Sequence, residues 1–117
     1  VCYDSSSAAL EAFERQKFSR DAEEAEAAAT RVRRMLSCDL MILDDLGTEM
    51  VTPMTLRALY TLINTRLVNK KKMIISTNLS DDELLRRYTP QICSRISGEF
   101  LCLPFIGRDI RLMKKGV

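Results

Sequence analysis

The sequence predicts an α/β domain with a mainly parallel sheet. Three observations carry the prediction. Short continuous apolar runs, Leu40-Met41-Ile42-Leu43 and Met73-Ile74-Ile75, suit strands covered on both faces. Stretches of helical spacing, opened by N-terminal caps, lie between them. The order is strand, helices, strand, helix, strand, helices, strand, which is the alternation of βαβ units.

The first element, Val1–Tyr3, reads as the tail of a strand. Ser5–Phe18 follows with Ala8, Leu10, Phe13 and Phe18 at helical spacing. Asp21 is placed to cap a second helix, with Glu24 completing a capping box. That helix is acidic at its start (Glu23, Glu24, Glu26) and basic at its end (Arg31, Arg33, Arg34), an order that complements the helix dipole. Its charges read as a solvated face.

The second strand spans Asp39–Asp45 and ends in two aspartates before Leu46-Gly47. Thr52-Pro53 opens a helix, a cap followed by proline at the first helical position. Leu56, Leu59, Tyr60, Ile63 and Leu67 form its core stripe. The third strand, Met73–Ile75, runs out into Ser76-Thr77-Asn78. Ser80 with Glu83 forms a capping box for a short helix, and Thr89-Pro90 starts another, which Gly98 is placed to end. Phe100–Pro104 reads as the last strand, followed by Gly107 and Arg108-Asp109-Ile110-Arg111.

Composition bounds the function. The 117 residues make room for one modest core; 46% are apolar and 29% charged. A net charge of +2 does not imply nucleic-acid binding by bulk charge. No apolar run approaches a membrane span, so no membrane partner is expected. Histidine is absent, which excludes histidine acid–base or triad chemistry. The four cysteines, Cys2, Cys38, Cys93 and Cys102, have no CxxC spacing, so no zinc site is expected. They read as reduced, mostly buried thiols of a cytoplasmic protein. Val1 is not a natural start residue and reads as a position inside a longer protein.

Two strands thus end in polar residues, at Asp44-Asp45 and at Ser76-Thr77-Asn78. In open parallel sheets, ligands bind beyond the carboxyl ends of the strands. Paired aspartates on an apolar strand are costly unless a cation stands opposite. A hydrated magnesium ion fits, because it takes few protein carboxylates and otherwise waters and phosphate oxygens. The competing reading is a strand end where two acids face solvent.

The stretches LMILDDLGTEM, LYTLINTRL, IISTNLS, ICSRISGEF and GRDIR, in this order, resemble the bacterial helicase-loader ATPases of the DnaC/DnaI type. Those belong to the AAA+ class of P-loop NTPases and are relatives of the transposition helper ATPase IstB. The resemblance runs from about Val1 to Lys115. It implies that residues 1–117 are the C-terminal part of one three-layer AAA+ domain, from Walker B to sensor 2.

The resemblance also implies roles. Asp44 would hold magnesium through its waters, and Asp45 would orient the attacking water; the wider class has glutamate at that second position. Asn78 matches sensor 1, Arg95 in SRI matches the arginine finger that reaches a neighbouring subunit's nucleotide, and Arg111 in DIR resembles the sensor 2 arginine. Such a finger is worth ~10³–10⁵ in rate. Read without the resemblance, Asn78 is a turn residue, Arg95 a surface ion-pair partner, and Arg111 part of a basic helix end with Lys114 and Lys115. Arg108 is the second candidate for sensor 2.

One part of such an ATPase is missing. None of Gly47, Gly98, Gly107 and Gly116 begins GxxxxGK[ST], so the chain carries no phosphate-cradling loop and is expected to be inactive alone. In AAA+ sheets the strand before that loop lies between the sensor 1 strand and the last strand. Its absence would leave edges exposed at Met73–Ser76 and Phe100–Pro104. The expectation is either a non-native pairing within the chain or a dimer that fills the gap.

The implied function is part of an ATP-binding, ATP-hydrolysing DNA replication protein. It would use ATP and magnesium, assemble with its neighbours, and serve a replicative helicase. Single-stranded DNA is a further expected partner, through Lys17, Arg20, Arg31, Arg33 and Arg34, although only Phe13 and Phe18 are available there for stacking. Two alternatives stand: an IstB-like ATPase serving a transposase, and a non-catalytic protein-interaction module.

Overall fold

The computed structural model describes residues 1–104 and 110–114. The chain forms β1 (Cys2–Ser5), α1 (Ser6–Phe18), α2 (Ala22–Ser37), β2 (Leu40–Leu46), α3 (Pro53–Val68), β3 (Lys72–Thr77), α4 (Asp81–Arg87), α5 (Pro90–Glu99), β4 (Phe100–Pro104) and β5 (Ile110–Lys114). It is an α/β fold. The five strands make one sheet in the order β1-β2-β3-β5-β4.

The first three strands are parallel, and the register aligns Met41 with both Cys2 and Met73. The last two pairings are antiparallel, so the sheet is parallel in one half and mixed in the other. β5 lies between β3 and β4. It occupies the place where the AAA+ order would put the strand before the phosphate loop. Of the two expected outcomes, the structure has the pairing within the chain. Ile110–Lys114 is therefore a strand, not the basic helix end considered for Arg111 and Lys114. A strand suits it because β3 and β4 would otherwise each present an unpaired row of backbone groups.

Helix starts follow the sequence closely. Ser5 accepts from the Ala8 amide at 3.2 Å to cap α1. Ser80 and Glu83 form the expected reciprocal box on α4, and Thr89 caps α5 ahead of Pro90. Thr52 caps α3 in a reciprocal box with Thr55. Asp21 caps α2 through the Glu23 amide at 2.9 Å, so the expected box with Glu24 is replaced by a simple cap. Gly98 does not end α5, which runs on through Glu99 and closes with Phe100 in extended conformation.

The core lies between the sheet and its helices. Met41, Leu43, Met73 and Ile75 meet Leu59, Leu62, Ile63, Met35 and Ile92, all nearly inaccessible to solvent. The alternate residues of the same strands behave differently. Tyr3 is exposed, Ile42 and Ile74 are half-buried, and Leu101 is exposed. The register places these four in one row with Met113. The described helices therefore cover one face of the sheet, and the expected third layer is not found among the described residues. The reason is topological. Strands β1, β2 and β3 advance in one direction, and right-handed crossovers then put their connecting helices on one side.

Arg66 ties the helix layer to the amino edge of the sheet. It is fully buried and donates to the Met35 carbonyl at 2.7 Å and the Lys72 carbonyl at 2.6 Å. The first of these is an otherwise open carbonyl in the last turn of α2. Cys2 and Cys93 are buried, Cys38 is half-buried, Cys102 is exposed, and all four are free thiols.

Candidate functional site at the carboxyl edge of the parallel strands

β2 and β3 end side by side, and their terminal residues make a polar edge. Asp44 is half-buried at the end of β2. Its Oδ1 accepts from the Ser76 hydroxyl, and its Oδ2 accepts from the Tyr3 hydroxyl at 2.5 Å. Hydroxyls from both neighbouring strands thus hold one carboxylate. Ser76 Oγ in turn accepts the Asp45 amide at 3.0 Å.

Asp45 breaks the strand. Its φ is +56°, and the β2–β3 register shifts between Leu43 and Leu46. A non-glycine residue in this region costs ~1–3 kcal/mol, and aspartate tolerates it better than most. The turn is held by its backbone. The Asp45 carbonyl accepts from the Thr48 amide at 3.2 Å and lies 2.9 Å from Thr48 Oγ1 and 3.0 Å from Ser6 Oγ. The bulge exposes the Asp45 side chain to solvent while Leu46 returns to the core.

Glu49 was not singled out in the sequence, and it is the most enclosed acid of this region at 5% exposure. Its carboxylate accepts from Ser6 Oγ at 2.7 Å, from the Gly47 amide at 2.9 Å and from the Tyr88 hydroxyl. Arg87 lies 3.7 Å away and also donates to the Glu49 carbonyl. Burial by itself raises the Glu49 pKa. The hydrogen bonds from Tyr88, Ser6 and Gly47 outweigh it and hold the carboxyl below the usual glutamate range. Burial, then the hydrogen bond to Glu49 and its charge, push the Tyr88 phenol well above its ordinary value. The two shifts agree: the proton stays on Tyr88. No local signal marks Glu49, because its partners lie at Ser6 and Tyr88, far away in the chain.

The other expected site residues stand at different distances from this edge. Asn78 is exposed one residue past the end of β3, on the same edge as Asp44. The backbone of Arg111 lies in register with Ser76, whose hydroxyl holds Asp44. Arg108 lies outside the described residues. Arg95 is half-buried in the middle of α5, beside the buried Ile92, Cys93 and Ile96. That helix carries the chain from the carboxyl edge back to the start of β4, so Arg95 is not gathered with Asp44.

The edge is open. A 310 Å³ cavity lies elsewhere, between α4, α5 and β4, and Leu84, Leu85, Cys93, Ile96 and Phe100 line it. Its lining is mainly apolar and contains none of the candidate site residues. Among the described residues no group of three or more His, Cys, Asp or Glu side chains converges to cage a metal.

Comparison with protein-family models, curated proteins and solved structures finds no match to the chain.

The basic residues of α1 and α2 are largely engaged. Arg31 pairs with Asp4, Arg33 with Glu26 at 3.7 Å, and the Lys17 ammonium lies 5.7 Å from the Phe18 ring centre. No described helix is long and apolar enough to cross a membrane.

Proposed function

We propose that this chain is the Walker B to sensor 2 part of a helicase-loader-like ATPase, working with a phosphate-binding loop supplied outside these 117 residues. One observation carries the reading. Asp44 and Ser76 are hydrogen-bonded at the carboxyl ends of adjacent parallel strands, with Asn78 just beyond. This is where an open parallel sheet binds its ligand.

The donor chemistry fits magnesium. Asp44 is a hard oxygen donor whose two oxygens are already met by hydroxyls, an arrangement suited to holding a cation through its water shell. The absence of histidine and of paired thiols gives no support for zinc. Bound magnesium supplies charge neutralisation for the phosphates. In this reading Tyr3 and Ser76 fix the Asp44 carboxylate, and Asp45, exposed on its turn, orients water. Asn78 bonds that water or the terminal phosphate. Arg95 serves a neighbouring subunit, and Arg111 contacts phosphate from the far side of β3. The partner is a replicative helicase, with a transposase as the alternative.

The test is Asp44→Ala in the ATPase that contains this chain. Magnesium-dependent hydrolysis should be abolished, and normal turnover would refute the metal role.

A second reading is favoured by β5. Because Ile110–Lys114 fills the slot between β3 and β4, the chain completes its sheet without a phosphate-loop strand. That supports a non-catalytic interaction module. ATP-dependent melting shifts absent from every longer form of the protein would select this module over the ATPase.

A further inference from the structure

We propose that Glu49 is a positioning residue that holds the Asp45 turn in its left-handed conformation and so sets where the Asp44 and Asp45 carboxylates stand. The inference deepens the proposed function, because the acidic edge it serves is the one assigned there to magnesium and water.

The argument starts from the turn itself. Asp45 sits at φ +56°, a conformation its own side chain does not require. The exposed Asp45 carboxylate is therefore not what stabilises it. The contacts that do so are the Ser76 hydroxyl on its amide, and Thr48 and Ser6 on its carbonyl. Two of these routes lead to Glu49. Ser6 Oγ lies 3.0 Å from the Asp45 carbonyl and 2.7 Å from Glu49 Oε1, so the carboxylate fixes the hydroxyl that touches the turn. Gly47, at φ +112°, donates its amide to the same Oε1 at 2.9 Å, which fixes the exit of the turn.

The third donor anchors the carboxylate to the helix layer. Tyr88 is buried at the junction of α4 and α5 and gives its hydroxyl to Oε2. One side chain thus joins the start of α1, the exit of β2 and the α4–α5 junction. A carboxylate is suited to this place because all three neighbours are donors. A glutamine there would turn an N–H₂ group toward donors and leave at least one of them without an acceptor.

The test compares Glu49→Gln with Leu59→Ala in the 117-residue chain. Leu59 is a fully buried core residue of α3, so its truncation lowers stability without touching the turn. Two readouts are followed by NMR under conditions where both variants are folded. One is the HN–Hα coupling of Asp45, which reports its φ. The other is amide exchange at Asp45 and Thr48. Glu49→Gln should change the coupling and speed exchange at these two amides by about tenfold or more relative to β3 amides, a local loosening (~1.4 kcal/mol per tenfold). Leu59→Ala should speed exchange across the sheet together and leave the coupling unchanged. An unchanged coupling with uniform acceleration in Glu49→Gln would overturn the proposal and leave Glu49 a purely structural acid.

Should Glu49→Gln fail to fold, Tyr88→Phe and Ser6→Ala carry the same readouts. Ser6→Ala should give the larger change at Asp45, because it removes a direct contact with the turn; equal effects on all amides in both would overturn the proposal. A separate measurement addresses the underlying site reading. Manganese added as the probe should broaden Asp44–Gly47 resonances in the parent and not in Asp44→Asn. Broadening unaffected by Asp44→Asn would reject the metal role of Asp44, while the metal-free turn result would still decide the role of Glu49.

Discussion

Ser76 holds Asp44 and Asp45 at once: its hydroxyl donates to the Asp44 carboxylate and accepts the Asp45 amide at 3.0 Å. A single oxygen on β3 thereby joins the side chain of one acid to the backbone of the next, across a parallel strand pair. Ser76→Ala should cost ~1–3 kcal/mol, because it leaves the Asp45 amide without its acceptor. Urea unfolding checks this, and a loss below ~0.5 kcal/mol would mean that water replaces the hydroxyl at no cost.

Stability should depend on pH at both ends of the range, through Glu49 and Tyr88. The Glu49 carboxyl is held below its ordinary range by its hydrogen bonds. Its contribution is therefore complete above about pH 4.3 and is lost as pH falls through the lower folded-state value. The Tyr88 phenol is raised, so its contribution is complete below about pH 10 and is lost as pH climbs beyond that. Urea midpoints followed across pH should show both limbs. Glu49→Gln should flatten the acid limb, and an unchanged acid limb in that variant would assign it to other carboxylates.

Arg66→Met should destabilise the chain by ~2–4 kcal/mol. The substitution removes a buried charge, which is a gain, but it leaves the Met35 and Lys72 carbonyls without their donor at 2.7 and 2.6 Å. Two buried carbonyls at ~1–3 kcal/mol each outweigh the relief. A variant as stable as the parent would show that burying the guanidinium costs as much as its bonds return.

Gly47→Ala should be more damaging than an ordinary surface substitution. A Cβ at Gly47 would stand 2.8 Å from Leu79 Cδ1 and 2.9 Å from its Cγ, on a backbone at φ +112°. Strain and clash together should cost ~2–4 kcal/mol. Adding Leu79→Ala removes the clash and keeps the strain, so the double variant should recover part of the loss relative to Leu79→Ala alone. No recovery in thermal melts would mean that the backbone strain accounts for all of it.

Local chemistry made most helix starts legible. Ser80 with Glu83, Thr52 with Pro53 and Thr89 with Pro90 each act within four residues, and the structure uses all three. The apolar runs likewise became β2 and β3. The parts that were not legible depend on distant partners. Leu40-Met41-Ile42-Leu43 is continuously apolar, yet only Met41 and Leu43 are sealed, because covering Ile42 would need a layer beyond the described helices. Ile110–Lys114 reads equally as strand or helix until β3 and β4 are seen to lack a common neighbour. At the candidate site, the adjacency of Asp44 and Asn78 followed from two strand ends. Glu49 looked like a turn acid in solvent, since nothing near it in the chain announces Tyr88 or Ser6.

The position of β5 has a consequence for how the chain is made. β4 has β5 as its sheet neighbour, and β5 is the last element, so the sheet has no place for β4 until Ile110–Lys114 has left the ribosome. β1, β2 and β3, with α1 to α3, can assemble during synthesis from successive parallel units. The final two strands must then enter together as a hairpin against the edge of β3. During that interval the edge of β3, which ends at the residues holding Asp44, is the part of the nascent chain open to pairing with another copy.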